Sequence, residues 1–124
     1  MLKIEFNKIF ETLYHEVKKV YPEIEKVEIL VAFENHKNGV MLLVGTEEDT
    51  NRYKISINPS YDEEIIARFF ITGLALLIYR LKYDKYIHPL ATDEDYQTDE
   101  HYDKIIAKIY AIHGKLKNAG AYLE

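Results

Sequence analysis

The sequence predicts an α+β fold, with helices packed on one face of a small antiparallel three-stranded sheet and one helix buried at the centre. Three observations carry this. The stretch FFITGLALLIY, between Arg68 and Arg80, is uncharged and apolar on every side of a helix. Such a helix is either the one a small domain packs against or a membrane span, and a span needs about 20 residues. Three short runs between Val27 and Asn58 carry strand patterning, and two further segments repeat their apolar residues at helical spacing.

Phe6, Ile9, Phe10, Leu13, Val17 and Val20 share one face, so a first helix is expected from about Asn7 to Val20, ending before Pro22. Val27, Ile29, Val31 and Phe33 alternate with Glu28, Leu30, Ala32 and Glu34, giving a first strand. Asn38-Gly39 follows. Both residues tolerate positive φ, which predicts a hairpin into a second strand, Val40 to Gly45, apolar on both faces. After the polar turn TEEDTN, Tyr53, Ile55 and Ile57 alternate with Lys54, Ser56 and Asn58 in a third strand with one wet face.

Ser60-Tyr61-Asp62-Glu63 has the form of a capping box, in which serine and glutamate satisfy free N–H groups at a helix start. It opens the central helix, Asp62 to Tyr83. The stretch DKYIHPLATDEDYQ is irregular. Tyr102, Ile105, Ile106, Ile109, Ile112 and Leu116 mark a last amphipathic helix, about Asp99 to Lys117, capped by Thr98, with a tail expected to fray past Gly114. No repeat, linker or low-complexity segment interrupts residues 1–124, which form a single domain in the order α-β-β-β-α-α.

A net charge of −5 argues against a general nucleic-acid binder, which is usually basic. Without cysteine there is no disulfide framework and no thiolate zinc site. The opening MLKIEF lacks the apolar stretch of a signal peptide, so a cytoplasmic protein with no membrane contact is expected.

Ile55-Ser56-Ile57-Asn58-Pro59 ends the third strand, and Thr72-Gly73-Leu74-Ala75-Leu76 follows on the central helix. Together with the acidic start of the last helix, this order resembles the compact core of zincin metallopeptidases, especially the small gluzincin and ImmA/IrrE-like forms. The resemblance covers Arg52 to about Ala111. It implies that H-E-L-A-H would fall on residues 72–76 and that Glu100 or Asp103 would lie near the acidic third ligand. The motif itself is absent. Two histidines at i and i+4 can share one zinc, with the intervening glutamate as general base. Thr72 and Leu76 stand at the ligand positions and Gly73 at the base position. Leu76 has no lone pair, and Gly73 cannot take a proton. The resemblance therefore implies a scaffold without its metal, with no cofactor and no catalytic residue at these vestigial positions.

Other candidates are weighed against plainer readings. Gly73 costs a helix about 1 kcal/mol relative to alanine, and close approach of another backbone explains it. Ile65, Phe69, Thr72, Leu76, Tyr79 and Tyr83 would floor the cleft of a live peptidase; here they imply a cleft filled by core, with a residual partner-binding groove as the sharper alternative. TDEDYQTDEHYD, from Thr92 to Asp103, holds six acids and no lysine or arginine, so Asp93, Glu94, Asp95 and Asp99 are candidates for docking a basic partner. As a calcium loop it fails, since Thr98 replaces the glycine and Lys104 the bidentate glutamate. His101 and His113 point about 120° apart on one helix and cannot share a metal. No phosphate-cradling glycine motif is present. Tyr14, Tyr53, Tyr79, Tyr102 and Tyr110 fall on periodic elements, as core-edge residues do.

These readings favour a small non-catalytic protein that binds a macromolecular partner, such as the regulators, inhibitors and immunity proteins that phages and other mobile elements encode. The rival is a hydrolase assembled from distant residues such as His88, Asp99 and Asp103. A homodimer burying the aromatic face is a third option.

Overall fold

The computed structural model describes residues 2–3, 8–44, 52–83 and 100–123. Helix α1 (Lys8–Val20) turns Phe10, Leu13, Tyr14 and Val17 inward, the face its spacing predicts. It ends as expected: the Tyr21 N–H still reaches the Val17 carbonyl at 2.8 Å, and Pro22 has no N–H to continue the ladder. Pro22 instead opens a 3-10 turn (Pro22–Lys26) that buries Ile24.

Four strands follow the order β1-β2-β4-β3 across one sheet: β1 (Leu2–Lys3), β2 (Glu28–Phe33), β3 (Val40–Val44) and β4 (Arg52–Ile57). The fold is α+β, and three expectations about the sheet are corrected. The two-residue strand β1 adds a fourth strand to the three that the sequence predicts. The sheet is mixed rather than antiparallel, because β2 runs parallel to both β1 and β4 and only β3 opposes β4. The hairpin between the first two strands does not form, since β4 lies between β2 and β3. Gly39 does take the positive φ (75°) that its turn signal implies. However, the Val40 N–H reaches back only to the Asn38 carbonyl at 2.8 Å, a tight bend that carries the chain across the end of β4. The crossing is fastened there: Glu34 N–H donates to the Ile57 carbonyl (2.9 Å) and Asn58 N–H to the Gly39 carbonyl (2.7 Å).

One face of the sheet is the floor of the core. Ile29, Val31, Leu42, Tyr53, Ile55 and Ile57 are all buried on it. The other face shows Leu30 at 46% exposure and a Glu28–Arg52 ion pair at 3.1 Å. Helix α2 (Glu63–Tyr83) lies against the floor and buries an unbroken run from Gly73 to Tyr79, as an all-round apolar helix should. Phe70 stacks on Phe10 of α1, ring centres 4.3 Å apart. Among the described residues no helix is long and apolar enough to cross a membrane.

The capping expectation is corrected by two residues. Asp62, not Ser60, caps α2, its carboxylate accepting the Ile65 N–H at 3.0 Å. Ser60 belongs to the preceding turn, where its N–H donates to Asn58 Oδ1. The tail is corrected too. Helix α3 (Glu100–Asn118) runs past Gly114 and closes with Gly120 at φ 69°. The Ala121 N–H bonds the Leu116 carbonyl (2.9 Å) and the Gly120 N–H that of Lys117 (3.2 Å), the paired bonds of a Schellman motif. Lys8 Nζ then holds the Leu123 carbonyl at 2.9 Å, tying the chain end to the start of α1.

Candidate functional site

Thr72, Gly73 and Leu76 sit on α2, the helix that packs against both the sheet and α3. Thr72 is half-buried and Leu76 is 5% exposed. Gly73 faces β4 so closely that a Cβ would meet Ile55 Cγ2 at 2.6 Å. The position where a general base would fall is thus taken up by helix–sheet contact. The neighbour is a side chain, not the backbone that the sequence reading proposes. Glu100 and Asp103, the third-ligand candidates, are exposed on α3, while Tyr102, Ile105 and Ile109 turn into the core.

The remaining residues of that α2 face are covered at both ends. Phe69 packs under Gly39 and meets Tyr61 edge-on at 5.2 Å. Tyr79 meets Tyr102 at 5.8 Å, and Tyr83 stacks on His101 at 4.2 Å. Of the tyrosines expected at the core edge, Tyr14, Tyr53, Tyr79 and Tyr102 are buried, while Tyr110 is exposed. Among the described residues no three His, Asp or Glu side chains cluster as a metal site requires. Asp93, Glu94, Asp95, Asp99 and His88 lie outside the described residues.

A serine, a histidine and an acid do come together elsewhere, which the sequence pattern does not reveal. Ser56 is on the supposedly wet face of β4, yet it is only 2% exposed. Its hydroxyl donates to Glu34 Oε1 at 2.8 Å, and Lys54 Nζ meets the same carboxylate at 2.8 Å. His36 Nε2 lies 3.2 Å from the Ser56 carbonyl, so Nε2 carries the proton and donates it there. Asn58 Nδ2 donates to the His36 carbonyl at 2.6 Å. Lys54 first, then Ser56, hold the Glu34 carboxyl below its usual range by hydrogen bonding to the charged form. The serine gives its proton to a carboxylate, and the histidine faces a carbonyl rather than that hydroxyl. Nucleophilic catalysis needs the base on the nucleophile and the nucleophile within reach of substrate. The cluster instead fastens the crossing segment to the end of β4.

Two polar features lie on α3. His113 Nδ1 and the Tyr122 hydroxyl share a hydrogen bond of 2.8 Å. Burial, helped by the Lys117 charge, lowers the His113 pKa, and burial pushes Tyr122 up to about 12. Between α1 and α3 an open groove of about 330 Å³ is lined by Val20, Ile112 and Leu116 together with Glu16, Lys19, Lys108 and Lys115. No known family model, curated protein or solved structure matches this chain.

Proposed function

We propose that this chain is a non-catalytic protein that acts by binding a macromolecular partner, on a zincin-like scaffold that has lost its metal site. The observation that carries the reading is the seat of Gly73 against Ile55. It closes the place a general base would need, beside two positions, Thr72 and Leu76, that offer no imidazole. The element order supports the scaffold comparison. The wiring of Ser56 and His36 into a structural corner also supports a binding role over a hydrolase. In this reading the acidic stretch from Thr92 to Asp103 meets a basic partner, and the setting is the cytoplasm. Size and charge liken it to a regulator, inhibitor or immunity protein of a mobile element.

Two measurements test this. Protein dialysed against zinc and then against buffer should retain no stoichiometric metal and should not turn over casein; about one zinc per chain together with turnover would overturn the proposal. Against a stoichiometric protein partner, binding should weaken with salt, since exposed charges are screened beyond about 8 Å at physiological ionic strength. Replacing Asp93, Glu94 and Asp95 with Asn or Gln should slow association more than it speeds dissociation. A flat salt response and an unchanged association rate would remove the acidic stretch from the interface.

A further inference from the structure

We infer that the groove between α1 and α3 receives an acidic amphipathic helix of a partner protein. This rests on the binding reading and names a second surface for it, with the opposite charge preference from the acidic stretch. The chain carries a net charge of −5, yet three lysines and one glutamate surround this groove. The glutamate is already engaged, as Lys19 Nζ holds Glu16 Oε1 at 2.9 Å. Lys108 and Lys115 are exposed and have no ion-pair partner among the described residues. Of the apolar lining residues, Val20 is 42% exposed, and Ile112 and Leu116 are half-buried.

An occupant must therefore bring both apolar groups and anions. An amphipathic helix does so at fixed spacing, with apolar side chains at i, i+3 and i+7 and carboxylates on its flanks. The walls are themselves two packed helices, a geometry into which a third helix fits ridge into groove. Nucleic acid fits less well, because among the described residues no aromatic ring lines the groove to stack a base. An anionic membrane surface is typically met by clusters of about 4–8 basic residues, more than this rim supplies.

The test uses the whole chain and a short synthetic helical peptide with leucines at i, i+3 and i+7 and glutamates between them. In methyl-detected NMR this peptide should shift Val20, Ile112 and Leu116 and leave Leu30, on the outer sheet face, unmoved. Lys108→Glu with Lys115→Glu should weaken binding about tenfold or more; both residues are exposed, and circular dichroism checks that the variant stays folded. The assignment is overturned if the same peptide with lysines for glutamates shifts those methyls equally. It is equally overturned if charge reversal changes nothing, or if only an oligonucleotide or phosphatidylserine vesicles produce the shifts. Self-association that the two reversals abolish, seen by sedimentation, would make the occupant a second copy and overturn it too. A silent groove leaves the binding reading standing, since that reading fails on metal content and turnover.

Discussion

At Gly73 the distance of 2.6 Å from an added Cβ to Ile55 Cγ2 leaves no room for a methyl group. Gly73→Ala should therefore overpack the helix–sheet contact, costing about 1–3 kcal/mol, against about 1 kcal/mol regained in helix propensity. A lower urea midpoint is expected. In an Ile55→Ala background the same change should be neutral or stabilising, and this coupling separates packing from backbone effects. An additive pair of effects would place the strain elsewhere. The sequence does signal the close approach at Gly73, because a glycine within an apolar helix needs a reason. It does not signal Ser56, whose alternation with Ile55 and Ile57 points it to solvent. Its partner Glu34 is held against it by a strand pairing that no local pattern encodes.

Among the elements, the helices are legible because their apolar faces repeat along one segment of chain. Strand pairing is a relation between segments. The run Val40–Val44 is apolar at every position, so it does not specify which neighbour or register it takes. The Asn38-Gly39 signal is accurate about φ at Gly39 and silent about what lies across the bend. Helix ends depend on single hydrogen bonds, which is why Ser60 and Asp62 are easily confused as caps. Asp62→Ala should lower stability by about 1 kcal/mol through loss of the bond to the Ile65 N–H, whereas Ser60→Ala should have little effect. Equal melting temperatures for the two variants would contradict the assignment. Thr72, Gly73 and Leu76 lie on α2, a helix that its apolar run makes legible. Which of them faces the sheet was not visible, because an all-round apolar helix gives no clue to its own rotation.

For the molecule as a whole, pH dependence follows from groups whose charged forms fit the fold better or worse than the unfolded chain. His113 is depressed below its usual 6.5, mainly by burial. Between its folded pKa and 6.5 the unfolded chain binds the extra proton, so stability is full above 6.5 and declines as pH falls through the folded value. Tyr122, raised to about 12 by burial, acts at the other end: its contribution is present below 10 and declines as pH rises from there towards 12. Urea midpoints measured across pH should fall on both sides of neutrality. His113→Asn should flatten the limb just below 6.5 and leave the alkaline limb in place. An unchanged limb there would mean that His113 does not set it; Glu34, whose pKa is lowered, acts only below 4.5.

The interposed position of β4 also dictates an order of assembly. Between β3 and β4 the span of chain separating partners shrinks at every rung, from Val40 with Ile57 to Val44 with Tyr53, so pairing can zip up from the Val44–Tyr53 end. Between β2 and β4 that span is the same at every rung, so no rung is cheaper to close than another. With the crossing segment pinned to β4 through Asn58, the β3–β4 pair and α2 can form as one contiguous stretch. On this logic β2 docks afterwards, onto an edge already built for it.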